Sequence, residues 1–184
     1  MTETEDIAKF GFHWFDTSGK INASACARAI ASIDEILESF PQQPSRPSFQ
    51  TGTNLFSLPE FDVFKQEFVS ACLSLMPRTA RQFKLDLPCS AYMDYWDNFK
   101  LKDRDAQWHF HEGALLSGIY YLAIPDSMDR NVCGTEFMDP DIYVRPQQGS
   151  WLIFPGRTLH RPGISNSNDK RYVLAADFKP VFAS

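Results

Sequence analysis

The chain contains only four histidines, and none of its four cysteines stands in a C-x-x-C pair. Cys26, Cys72, Cys89 and Cys133 lie far apart, which argues against a zinc ribbon or a redox dithiol and for small buried hydrophobes. A basic excess is also missing. The 18 Lys and Arg against 23 Asp and Glu leave a net charge of −5, and the cations are scattered, so no stripe exists for a nucleic-acid backbone. No apolar run approaches the length of a membrane span, and the acidic start from Met1 to Asp6 is the opposite of a secretory n-region. The expectation is a soluble, cytoplasmic protein without nucleic-acid or membrane partners. Neither an internal repeat nor a low-complexity tract divides the sequence, so residues 1–184 read as a single domain.

Three of the four histidines fall in two short motifs. The first is Gln107-Trp108-His109-Phe110-His111-Glu112-Gly113, and the second is Phe154-Pro155-Gly156-Arg157-Thr158-Leu159-His160. If Trp108 to His111 is a strand, alternation puts His109 and His111 on one face and Trp108 and Phe110 on the other. A third imidazole from the distant His160 then completes a site with three protein ligands and open positions, the form metals take when they do chemistry. For one histidine alone, a hydrogen-bonded core or surface residue is the simpler account. His13 has no partner nearby in sequence and reads as a non-ligand.

Taken in order, residues 7–16 suggest an early strand with Phe10, Phe12 and Trp14 on one face. A helix follows Lys20, capped by Asn22, with Ala23, Cys26, Ile30, Ile33, Leu37 and Phe40 as its apolar stripe. Pro41, Pro44 and Pro47 end it. The polar run Gln50 to Asn54 reads as a loop. A second helix begins at Ser57-Leu58-Pro59-Glu60, a capping-box pattern, and buries Phe61, Phe64, Phe68, Ala71 and Leu75 until Pro77. A further turn to about Phe83 is compatible with the sequence.

From Pro88 the pattern changes to short β runs at roughly 89–99, 106–111, 116–124, 133–138, 141–145, 149–154, 158–164 and 171–182. About eight strands after two helices, with no helical pattern between them, predict a mainly β protein. The architecture expected is a double-sheet jelly roll, residues 89–184, with residues 1–88 as an N-terminal strand and two support helices.

The last strand separates into two faces. Arg171, Val173, Ala175 and Asp177 are small or polar and suit a cavity, whereas Tyr172, Leu174, Ala176 and Phe178 suit packing under the helices. An inward Arg171 needs a carboxylate partner, because an unpaired buried charge is costly. It reads as a bidentate clamp for an acidic co-substrate; the alternative is a frayed strand end in water. In the strand around Gly118 to Leu122, Ser117, Ile119, Tyr121 and Ala123 form the set that can face inward. Tyr121 then offers its hydroxyl to the same carboxylate, unless it is a plain core tyrosine.

His109 to Leu122, Gly134-Thr135-Glu136-Phe137, Gly149 to His160 and Arg171-Tyr172-Val173-Leu174 together resemble the iron(II)/2-oxoglutarate-dependent dioxygenases. Within them the sequence is most similar to a small bacterial and phage subgroup with an "H-x-H…SGxYYL" core. The resemblance covers about residues 89–180. It implies a double-stranded β-helix in which His109, His111 and His160 bind Fe(II), Arg171 pairs with the far carboxylate of 2-oxoglutarate, and Tyr121 assists. The activity implied is O2-dependent oxidation of a C–H bond in a small molecule or peptide residue, releasing succinate and CO2. Substrate contacts would come from Gln50 to Asn54, Asp97 to Asp105 and Ser127 to Val132.

One departure matters: the family's usual triad is His-x-Asp/Glu with a distal His, and His111 occupies the carboxylate position here. Three neutral imidazoles leave the metal's full dipositive charge. Other readings are a halogenase of the H-x-G type, with His111 as first ligand and Gly113 next, a cupin-type metalloprotein that does not use 2-oxoglutarate, and a module with structural zinc. The cupin pattern expects a Glu where Leu115 and Leu116 stand, and only the oxygenase reading requires Arg171. Glu112 faces away from the histidines on an ideal strand.

Overall fold

The computed structural model describes residues 7–39, 49–77, 83–94, 108–125, 133–163 and 169–181. Ten strands follow one another along these segments: β1 (His13–Asp16), β2 (Phe49–Gln50), β3 (Lys84–Asp86), β4 (Cys89–Asp94), β5 (Leu116–Ala123), β6 (Thr135–Phe137), β7 (Ile142–Val144), β8 (Ser150–Pro155), β9 (His160–Pro162) and β10 (Arg171–Val181). Two helices, α1 (Ala23–Ser39) and α2 (Asp62–Leu75), precede most of them. Seven strands form the major sheet in the order β1-β8-β5-β10-β4-β2, with β3 also on β10, and the minor sheet runs β7-β6-β9. All pairings are antiparallel. This is the expected jelly roll carried by two helices. Among the described residues no helix is long and apolar enough to cross a membrane.

Strand alternation divides the apolar residues into two cores. Outward side chains of the major sheet, Tyr120, Leu122, Trp151, Ile153, Tyr172, Leu174, Ala176 and Phe178, pack beneath the helices. Phe68 of α2 lies tilted against Trp151 at 4.9 Å, and Phe64 meets Tyr120 edge-on at 5.2 Å. Such pairs favour a fixed geometry beyond simple area burial. Gly118 is required here, because a Cβ would lie 2.7 Å from the Phe68 ring and 2.8 Å from Ile153. Inward residues, among them Phe12, Tyr121, Phe137, Leu152, Phe154 and Val173, fill the space between the sheets. The two-faced reading of the last strand and of Tyr121 therefore holds.

Several local expectations are corrected. Only residues 13–16 of the first segment are strand, because Ala8–Phe10 is a 3-10 turn closed by Gly11 at φ 78°. Asn22 does cap α1, its Oδ1 accepting from Ala25 N at 2.9 Å, but the fully buried line is Ala25, Ala29, Ile33 and Leu37. Cys26 and Ile30 flank that line and Ala23 is exposed, since the small alanines let the helix approach the Pro59–Phe61 turn. Phe40 lies outside the described residues.

The capping box at Ser57 does not form. Asn54 instead caps a 3-10 turn, accepting from Phe56 N at 3.2 Å, and Ser57 Oγ donates to Asn54 O at 2.6 Å. Helix α2 starts after a second 3-10 turn, which buries Phe61; the helix buries Phe64, Phe68 and Ala71 as expected and Cys72 besides, leaves Leu75 only half-buried, and ends before Pro77. Residues 78–82, where a further turn was compatible, lie outside the described set. None of the four cysteines forms a disulfide, and three of them are buried.

Candidate metal and co-substrate site

The histidine motifs meet at one end of the interior. His109, His111 and His160 each offer a ring nitrogen, and these atoms lie within 4.8 Å of one another. Trp108 to His111 is not a continuous strand. His109 makes an isolated bridge to His160, each amide donating to the other's carbonyl, at 3.1 and 2.9 Å. Sequence alternation was thus right about the side chains meeting, and the backbone does it by pairing instead of by a long strand. His13 stands apart in β1, opposite Ile153.

The turn after His111 is fitted against the turn before His160. His111 N donates to Gly156 O at 2.9 Å, and Gly156 N donates to Leu115 O at 3.1 Å. Gly156 permits this contact, because a Cβ there would sit 2.4 Å from the Ala114 carbonyl oxygen. Gly113 has φ 77°, a left-handed conformation that reverses the chain. Glu112 is exposed, as expected. Trp108 stacks under the Arg161 guanidinium at 4.5 Å, and Arg161 Nε donates to Glu136 at 2.7 Å.

Each of two histidines has its tautomer fixed by an acceptor. His160 Nδ1 is 2.9 Å from Thr158 O, and a carbonyl can only accept, so Nδ1 carries the proton and Nε2 keeps its lone pair. His111 Nδ1 donates likewise to the Asp177 carboxylate. Burial between Phe137 and Phe154 pushes the His160 pKa down to about 3, so its imidazole is neutral. For Asp177, burial works to raise the pKa, but the His111, Ser117 and Lys179 contacts outweigh it and hold the group below its ordinary value.

The other end of the same interior holds Arg171. It is 2% exposed, and its Nη1 donates to Asp94 at 3.3 Å, so it is not a frayed end in water. Asp94 is its direct cross-strand neighbour in the β4–β10 register. Burial disfavours the guanidinium charge, while Asp94 restores it and keeps the pKa above its ordinary value. The Nε of Arg171 is buried without a hydrogen-bond partner among the described residues. Tyr121 OH is 2.7 Å from Thr135 Oγ1, and burial pushes its pKa up to about 12, so the phenol stays protonated and able to donate.

A scan against protein-family models returns no match, and neither does a search of curated proteins. Solved structures do match. The carbocyclase SnoK of nogalamycin biosynthesis, non-heme and α-ketoglutarate dependent, aligns with TM-score 0.68 at 13% identity over 97% of this chain and 83% of that one. HygX from Streptomyces hygroscopicus, with nickel, 2-oxoglutarate and hygromycin B bound, aligns with TM-score 0.64 at 13% identity over 100% and 89%. The 2-oxoglutarate complex of the viral collagen prolyl hydroxylase from Paramecium Bursaria Chlorella virus-1 gives TM-score 0.62 at 16% identity over 92% and 96%. The chain has the fold of the 2-oxoglutarate-dependent oxygenases.

Within this oxygenase fold the donor chemistry suits a divalent transition metal. Three imidazoles converge, and two of them turn a lone pair inward because an acceptor holds the opposite nitrogen. Strand β6 links the two ends. Thr135 touches Tyr121 and Phe137 touches His160, and two residues of strand span about 7 Å.

Sequence reasoning did not assign Asp94, Thr135 or Asp177. Asp177 had been put on the cavity face without a role; an acid between Ala176 and Phe178 in an apolar strand was the available signal. The loop Gln50 to Asn54 is committed to structure in part. Thr51 Oγ1 accepts from Ala91 N and Asn54 Oδ1 from Cys89 N, both at 2.9 Å. Asp97 to Asp105 and Ser127 to Val132 lie outside the described residues.

Proposed function

We propose that the protein is an iron(II)- and 2-oxoglutarate-dependent oxygenase acting, as one domain, on a small molecule or a peptide residue. His109, His111 and His160 would hold the metal, and Arg171 with Tyr121 would hold the far carboxylate of 2-oxoglutarate. When bound, iron(II), 2-oxoglutarate and O2 supply the oxidation of a C–H bond, with succinate and CO2 as co-products. The chain's own part is to bind, orient and keep water out. None of its four cysteines forms a disulfide, which suits a reducing cytoplasm.

The observation that carries the reading lies on one face of β10. Arg171 opens that face, and Asp177, the partner of His111, follows six residues later. A metal-binding cluster and a buried guanidinium are thereby joined by a single strand. A cupin without 2-oxoglutarate has no use for Arg171, and a closed zinc site needs a fourth ligand. The H-x-G halogenase alignment would leave His109 idle although its ring lies 4.4 Å from that of His160. Phe110, between His109 and His111 in sequence, and Met138, whose amide donates to Leu159 O beside His160 at 3.0 Å, are 52% and 43% exposed and offer apolar contacts for a substrate.

The test is anaerobic titration of the apo-protein with iron(II) and then 2-oxoglutarate. A visible metal-to-ligand charge-transfer band is expected in the wild type, and Arg171→Ala should need far more 2-oxoglutarate to reach it. Iron binding with no band at saturating 2-oxoglutarate overturns the assignment.

A further inference from the structure

We propose that Asp177 supplies, through His111, the negative charge that a carboxylate ligand would bring to the metal, an inference that rests on the oxygenase reading above. The ligand position that holds Asp or Glu in the His-x-Asp/Glu triad holds His111 here, and a carboxylate stands one hydrogen bond behind it. Asp177 Oδ1 accepts from His111 Nδ1 and from Ser117 Oγ at 2.8 Å, while Oδ2 meets Lys179 Nζ at 3.3 Å. Ser117 lies directly opposite Asp177 in the β5–β10 register, so the sheet itself fixes the carboxylate.

The comparison within the site is instructive. His160 needs only a neutral acceptor for orientation, and the Thr158 carbonyl provides it at 2.9 Å. His111 receives a full anion, in a side chain 12% exposed. A carboxylate on Nδ1–H draws the proton toward itself and leaves the imidazole a stronger, more anionic donor at Nε2. Lys179, its side chain 28% exposed, offsets part of this charge at Oδ2, while Oδ1 faces the imidazole. Lys179 aside, the His111–Asp177 unit then brings the metal the single negative charge that a carboxylate ligand would bring. Asp177 is a positioning and charge-supplying residue, not a ligand.

The experiment is titration with Co(II) alone, reading affinity and the visible ligand-field bands. Asp177→Asn keeps an oxygen for Nδ1–H and removes the charge, and affinity should fall roughly 10–100-fold with altered bands. His111→Asp combined with Asp177→Asn puts the carboxylate on the metal directly and should restore most of the lost affinity. Asp177→Ser carries the same expectation if the Asn variant fails to fold. Wild-type affinity and unchanged bands in Asp177→Asn would overturn the proposal while leaving the oxygenase reading intact. Failure of the wild type itself to bind Co(II) would overturn both.

Discussion

Arg171 has Asp94 as its ion-pair partner among the described residues. Removing Asp94 by substitution to Ala leaves the guanidinium buried without its counter-ion, and about 3–5 kcal/mol of stability should be lost. Urea denaturation measures that loss, and adding 2-oxoglutarate should recover part of it, because a carboxylate then returns to the guanidinium. Denaturation midpoints equal to wild type would mean that Asp94 does not carry the charge balance. Arg171 itself was legible from alternation along β10. Its partner was not, since the two are 77 residues apart and only strand register makes them neighbours. Asp177 escaped assignment for the same reason, with His111 lying 66 residues away.

Two glycines separate what the elements do. Alanine at Gly156 drives a methyl group into the Ala114 carbonyl and pushes apart the turns that carry His111 and His160. Metal affinity should fall by about tenfold or more, as it does when the support of a ligand is disturbed. Alanine at Gly118 overpacks the sheet under Phe68, costing about 1–3 kcal/mol, yet Co(II) titration should give wild-type affinity. Equal metal affinity in both variants would contradict this division. Asn22→Ala should cost about 1 kcal/mol by thermal or urea unfolding, from the loss of one helix cap. Asn22 was readable because capping is local. Ser57 misled, because its hydroxyl found the Asn54 carbonyl instead of the expected amide, a choice set by the preceding 3-10 turn. The α1 stripe held at Ile33 and Leu37 but lay at Ala25 and Ala29 instead of the neighbouring Cys26 and Ile30, because alanine is neutral in a hydrophobicity pattern.

At the scale of the molecule, two cores share the major sheet, one under the helices and one around the site. The order of helices before strands could be read from the periodicity switch at Pro88, and so could seven of the eight β runs expected after it; the run at 106–111 contributes only an isolated bridge at His109. The division into seven and three strands could not, since it depends on which non-adjacent strands pair. Any metal that binds the folded chain alone stabilises it by mass action, about 2.7 kcal/mol at a hundred times its dissociation constant. The melting temperature of the apo-protein should therefore rise with added Co(II), and no rise at saturation would contradict the site. The reciprocal backbone bonds between His109 and His160 make this coupling visible atom by atom. Two segments fifty-one residues apart are zipped by a single rung, so opening either one detaches both imidazoles at once. The amide protons of His109 and His160 should consequently exchange with solvent at a common rate, and both should slow together when the ion arrives.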